Sequence, residues 1–120
     1  MYTYLAEITS VYDGDTCTAT IDLGFNFNAK KAKLRLLGIN TPEMRGVSDQ
    51  EKQRALAARD FLRKKVLNQT VLMKSEKKGK YGRYLVTLWT FDSYGQPEEV
   101  SVNQQMIDSG HAVEYMASKK

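Results

Sequence analysis

Polar and apolar residues alternate along the first third of the chain. Tyr4, Ala6, Ile8 and Ser10 fall on one face, and Leu5, Glu7 and Thr9 on the other. That period of two predicts a half-buried strand. Asp13-Gly14-Asp15 interrupts it, and residues 16–22 resume with the β-formers Thr16, Thr18, Thr20 and Ile21. Residues 24–28 read as a turn. Residues 31–37 give a third strand, with Ala32, Leu34 and Leu36 on one face and Lys31, Lys33 and Arg35 on the other. Residues 38–47 read as a loop broken by Asn40, Pro42 and Gly46. The period then changes. Ala55, Ala58, Leu62 and Val66 recur at helical spacing with Phe61 beside them, and Ser48 with Glu51 three residues on forms a capping box. This helix is expected to reach about Asn68. Two more strands follow at 70–74 and 84–91, separated by a charged turn at 76–82, and a tight turn occupies 92–97. Ser101 caps a short helix carrying Val102, Met106 and Ile107, which Gly110 ends. Residues 111–115 are extended. Five antiparallel strands, a helix after the third and a short C-terminal helix predict a mainly β (α+β) fold, a five-stranded Greek-key barrel of the OB type.

Composition narrows the picture. A length of 120 residues suits one domain, residues 1–120, built on one hydrophobic core. A single cysteine, Cys17, excludes a disulfide framework and a multi-cysteine metal site. A single histidine, His111, excludes a His-rich zinc site and any mechanism with two imidazoles. The apolar runs are far shorter than the roughly 18 residues of a membrane span. The N-terminus has neither a basic n-region nor a long apolar h-region, so a cytoplasmic site of action is the expectation, and the chain is expected to be a monomer.

The net charge of +4 is uneven. Residues 1–83 hold 16 basic and 9 acidic residues, and residues 84–120 hold 2 and 5. An anionic ligand should therefore touch the first two-thirds of the chain, where the plain alternative is a solvated basic face. Three segments there carry candidate chemistry. Asp13-Gly14-Asp15-Thr16 places two carboxylates about a glycine, either as oxygen ligands for a hard cation or as an ordinary Asp-Gly turn. In Leu34-Arg35-Leu36-Leu37-Gly38-Ile39-Asn40-Thr41-Pro42-Glu43, Arg35 is a charge within an apolar strand, and Glu43 sits on a proline-stiffened loop. Lys78-Gly79-Lys80-Tyr81-Gly82-Arg83 offers bidentate, point-charge and stacking groups for phosphate and base, or is a basic turn. Combined, the three supply acids for a cation, a carboxylate able to take a proton, and two guanidiniums for charge developing on phosphorus.

In this order and at these separations, Asp-Gly-Asp-Thr, Arg-Leu-Leu-Gly-Ile-Asn-Thr-Pro-Glu and Lys-Tyr-Gly-Arg resemble the staphylococcal nuclease (thermonuclease) family, from about Tyr4 to Tyr115. The resemblance implies the OB-type barrel and calcium-dependent hydrolysis of DNA or RNA phosphodiesters, leaving 3′-phosphates. It implies that Asp15, Asn40 and the Thr41 carbonyl bind the metal. Arg35 and Arg83 clamp the scissile phosphate, and Glu43 is the general base. Lys80 and Tyr81 contact a neighbouring phosphate, and Tyr115 lines the nucleotide pocket. Asp13 closes the turn that aims Asp15. Asn40 stands where the family carries a second metal-binding aspartate, so weaker calcium affinity or another metal preference is expected. A third helix of the secreted members has no counterpart before Lys120. The alternative is a non-catalytic module of the same family that binds nucleic acid or protein. Cys17 and Trp89 are read as core, His111 as a surface or satisfied residue, and Lys30, Lys31 and Lys33 as a solvated edge.

Overall fold

The strands lie where period-two patterning meets turn residues, and a computed structural model describes the backbone of residues 2–78 and 82–115. β1 (Tyr2–Asp13), β2 (Thr16–Gly24) and β3 (Phe27–Leu36) form a meander. β4 (Ile39–Asn40) follows, then α1 (Asp49–Val66), β5 (Thr70–Lys78), β6 (Tyr84–Trp89), α2 (Val102–Asp108) and β7 (Val113–Glu114). The first, second, third, sixth and fifth strands close a barrel in the order β1-β2-β3-β6-β5.

The expectation of five antiparallel strands fails at one seam. β3 and β6 pair in parallel, with Leu34, Arg35 and Leu36 opposite Tyr84, Leu85 and Val86. Parity requires this. Directions that alternate around a closed ring need an even number of strands, so a ring of five must hold at least one parallel pair. α1 lies in the connection between β3 and β6, where the chain is long enough to reverse.

Bulges set which side chains face inward. Along β1, Ala6 and Ile8 are buried, but the register with β2 slips by one residue between Ile8 and Ser10. The extra residue turns Ser10 outward, against expectation, and sends Val11 into the core. Alternation from Val11 then puts Tyr12 outside, 58% exposed, and a second slip follows between Val11 and Asp13. The β2–β3 turn is tighter than the expected 24–28. Gly24 pairs with Phe27, and Phe25 and Asn26 take φ of 54° and 66°, the two left-handed residues of a type I′ hairpin.

α1 begins as the capping box predicts, with the Ser48 hydroxyl accepting the Glu51 N–H at 3.2 Å. It stops at Val66, two residues short of expectation, because Asn68 turns left-handed (φ 62°) and its N–H is donated to the Ile8 carbonyl at 2.8 Å. Ala58, Leu62 and Val66 join Ile8, Leu34 and Met73 in one core, with Val102 and Met106 of α2 completing it. β6 alternates Val86 and Leu88 inward, which leaves Trp89 partly exposed rather than in the core. Cys17 is buried, as expected. The expected loop at 38–47 holds a short ladder, since Ile39 and Asn40 pair with Glu114 and Val113. Among the described residues, no helix is long and apolar enough to cross a membrane.

Candidate functional site

The Asp-Gly-Asp turn between β1 and β2 is aimed by its own side chains. Asp13 Oδ1 accepts the Asp15 N–H at 3.1 Å. Gly14 is packed so closely that a Cβ on it would lie 2.9 Å from Ala58 Cβ of α1 and 2.9 Å from Thr41 Cγ2. The turn is thereby wedged between the helix and the segment after β4. Asp15 is left 7% exposed. Its Oδ2 accepts the Thr41 N–H at 3.2 Å and the Thr41 hydroxyl at 3.1 Å, and pairs with Arg35 Nη1 at 3.3 Å. Its Oδ1 accepts the Thr16 hydroxyl at 3.2 Å.

Arg35 ties the same knot from β3. Nη1 donates to the Leu36 and Ile39 carbonyls, each at 3.0 Å, and Nη2 donates to Asn40 Oδ1 at 3.4 Å. Four of the residues singled out by sequence are therefore joined in one network, Asp15 to Thr41 and Arg35 and Arg35 to Asn40, although they come from the β1–β2 turn, β3, β4 and the segment after it. Arg83 immediately precedes β6, whose Tyr84 and Leu85 register with Leu34 and Arg35. It lines an open groove of about 1030 Å³ together with Asp13 and Thr16. Glu43 is exposed, and its N–H is donated to the Glu51 carboxylate at 3.4 Å, which ties its loop to the first turn of α1. The next two residues, Met44 and Arg45, line the groove. Tyr115 is 46% exposed and its N–H is donated to the Gly38 carbonyl at 2.9 Å, so the β4–β7 ladder seats it beside the Asn40 strand. Lys80 and Tyr81 lie outside the described residues.

The site's electrostatics are set by burial and by the carboxylate pair. Burial, reinforced by the Asp15 charge, raises the Asp13 carboxyl from 3.8 to about 6. Burial also pushes the Cys17 thiol up to about 12, with the Asp13 charge contributing, so this sulfur stays protonated and inert. For Asp13 the folded state binds its proton more tightly than the unfolded chain. The linked stability is full below pH 4 and falls as pH rises from about 4 to about 6. Asp13→Asn keeps an oxygen for the Asp15 N–H and removes the charge. It is expected to raise the melting temperature relative to the parent at pH 8 and to leave it unchanged at pH 3.5, in thermal scans at the two values.

The donor set matches a hard cation in kind. The Asp15 carboxylate, Asn40 Oδ1 and the Thr41 carbonyl are all oxygens, as calcium prefers. It is lean in charge, because Asn40 contributes none, and Asp15 Oδ2 already meets three donors. Among the described residues, no group of three His, Cys, Asp or Glu side chains gathers to hold an ion.

Two features were not anticipated from sequence. Asn103 is buried on α2, accepting the Leu88 N–H at 3.1 Å and donating to the Leu37 and Val86 carbonyls at 2.9 and 3.0 Å. It fastens α2 to β6 and to the turn leading into β4. An asparagine within a short helix gives no signal of this in the sequence. The basic flank of α1, Lys52, Arg59 and Arg63, faces the groove. Its spacing along the helix was legible, but its facing wall was not.

Known proteins share this chain's pattern. An uncharacterized protein of Methanocaldococcus jannaschii is 27% identical over 135 residues, covering 96% of this chain and 61% of the relative. Protein ParB of Escherichia coli is 29% identical over 111 residues, covering 91% of this chain and 56% of the relative. The chain thus spans about three-fifths of the length of these relatives. The model of one protein family, described as staphylococcal nuclease homologue, matches residues 33–120. That segment carries Arg35, Asn40, Thr41, Glu43 and Arg83, and the fold adds Asp15 to them from outside it. With the match running over most of its length, the chain belongs to the staphylococcal nuclease homologue family.

Proposed function

We propose that this protein is a metal-dependent phosphodiesterase that cleaves DNA or RNA with calcium. The observation that carries the reading is the convergence of Asp15, Arg35, Asn40 and Thr41 on one buried knot, whose sequence neighbours Asp13 and Thr16 line a basic groove together with Arg83. Asp15, Asn40 Oδ1 and the Thr41 carbonyl would hold the ion. Bound calcium supplies Lewis acidity toward a phosphate oxygen. Arg35 is prepositioned by two carbonyls and Asn40, and among the described residues its Nη2 edge makes the long 3.4 Å bond alone. That edge exchanges Asn40 for a phosphate oxygen at little cost. Arg83, across the parallel seam, grips a second oxygen, and the two guanidiniums stabilise the charge of the five-coordinate transition state. Glu43 takes the proton of the attacking water. The new bond joins that water's oxygen to phosphorus, the bond to the 5′ oxygen breaks as that oxygen takes a proton from solvent, and the phosphate remains on the 3′ side. Lys80 and Tyr81 hold the adjoining phosphate, and Tyr115 borders the nucleotide.

Hydrolysis of single-stranded DNA with and without calcium tests this. Glu43→Gln is expected to slow cleavage by on the order of 10²-fold with the fold intact. Absence of calcium-dependent cleavage, together with a neutral Glu43→Gln, sinks the catalytic reading. The neutral Asn40 favours one rival, a module that binds nucleic acid without cutting it. A salt-sensitive gel shift with no cleavage across several divalent metals would identify that rival.

A further inference from the structure

The β2–β3 hairpin runs past the barrel that it helps to close. Among the described residues, β1 pairs with β2 no further than Asp22, and β3 meets β6 at Leu34, Arg35 and Leu36 alone. Residues 23–28 therefore project beyond the neighbouring strands. β2 has nine residues, from Thr16 beside the site to Gly24. The tip thus stands about 26 Å from the Asp15 turn, at roughly 3.3 Å per residue. Its side chains are apolar. Phe25 is 95% exposed, Phe27 68% and Leu23 49%. Phe27 lies two residues from Ala29, which packs against the core, so the core face continues outward along the hairpin. Phe25 sits at φ 54° in the type I′ turn, where glycine or asparagine is favoured. An aromatic residue there strains the backbone and, at this exposure, adds nothing to the core, which points to a contact outside the molecule.

Charge selects the partner. The one acid of the hairpin, Asp22, is engaged in its own turn, where Oδ1 accepts the Gly24 N–H at 2.8 Å. Lys30 and Lys31 are exposed behind the tip. The β2–β3 register slips between Ala19 and Ile21, so both lysines stand against one residue of β2, with Lys31 at φ 56°. This bulge interrupts the edge of β3 and opposes the addition of a partner strand. A second copy fits no better. It would set lysines against lysines. Three side chains, at roughly 150–250 Å² for a whole aromatic one, also fall short of the ~800 Å² that a stable interface buries on each partner. An apolar tip backed by cations matches an anionic bilayer. We propose that the hairpin is a membrane-docking finger, which seats Leu23, Phe25 and Phe27 in the interface of an anionic bilayer and sets Lys30 and Lys31 against its headgroups. The turn's backbone polar groups hold it at the boundary of headgroups and acyl chains, roughly 5–10 Å deep. The site at the other end of β2 stays open to solution. The inference does not depend on the catalytic reading.

Flotation of the full chain with phosphatidylcholine vesicles, and with vesicles in which phosphatidylglycerol replaces about 30% of that lipid, tests this. Binding is expected to the anionic vesicles alone. Lys30→Gln/Lys31→Gln should weaken it about 25-fold, near fivefold for each lysine. Phe25→Asn should weaken it about tenfold or more. The melting temperature of Phe25→Asn should hold or rise, because asparagine suits the left-handed turn. Phe25→Trp should show an emission blue shift on anionic vesicles, beyond the Trp89 background of the parent. A parent that ignores anionic vesicles overturns the finger. So does a Phe25→Asn protein that binds them as tightly as the parent, since adhesion then comes from the basic surface at large. A tip-dependent dimer in sedimentation would assign the patch to a second copy, and a lower melting temperature for Phe25→Asn would assign Phe25 to the fold; either result sinks the proposal.

Discussion

Asp15→Ala is expected to lower cleavage by on the order of 10³-fold or more and to destabilise the fold by about 3–5 kcal/mol, as removal of one partner from a buried ion pair does. Both losses come from the same atoms. Without the carboxylate, the Thr41 N–H is left buried with no acceptor, and the Arg35 guanidinium, on a side chain only 15% exposed, loses its counter-ion. The carbonyls of Leu36 and Ile39 still accept from Arg35, which keeps the loss within that range. Asp15→Asn separates charge from hydrogen bonding. Its amide oxygen can face Thr41 and Arg35, and its NH2 can donate to the Thr16 hydroxyl oxygen. The stability loss should shrink to about 1–2 kcal/mol, while cleavage falls about as far as for alanine. Urea unfolding and a rate measurement on the same samples check both parts. An Asp15→Ala protein that unfolds at the parental midpoint would show that the knot does not hold the fold. A double-mutant cycle with Arg35→Met should give a coupling above about 1 kcal/mol, because the residues share one network.

The knot also shows what could be read along the chain. Asp15, Arg35, Asn40 and Thr41 all belong to the sequence motifs that carry the family resemblance, and the barrel joins them in one network. Their partners were less legible. A bulge depends on both strands of a pair, so alternation along β1 alone put Ser10 inside, where Val11 belongs. The parallel seam between β3 and β6 follows from closing the ring, which no local pattern encodes. β4 looked like loop because a two-residue ladder leaves no period. Lys52, Arg59 and Arg63 share one flank of α1 by their spacing, but the wall that makes them line a groove is supplied by β1, β2 and β3. Element type came from local periodicity, and the site's surroundings came from closure and register.

Gly14 carries the second large effect, and the reason is packing rather than backbone freedom. Its φ is not among the positive values, so alanine fits the backbone. It does not fit the space, since its Cβ would lie 2.9 Å from both Ala58 Cβ and Thr41 Cγ2. Gly14→Ala is expected to destabilise the protein by about 1–3 kcal/mol. It should also lower cleavage steeply, because Thr41 can yield only by drawing its N–H and hydroxyl away from Asp15. Two second-site changes test the cause. Thr41→Ser deletes Cγ2 and keeps the hydroxyl, so Gly14→Ala/Thr41→Ser should regain part of both stability and activity. Ala58→Gly removes the other obstruction but adds the helix penalty of about 1 kcal/mol, so its rescue should be smaller. Asparagine discriminates more sharply. At a left-handed glycine it is the best-tolerated replacement. Here it is bulkier than alanine and should be worse. Melting temperatures in the order glycine, alanine, asparagine support the wedge between α1 and Thr41, and asparagine above alanine would refute it.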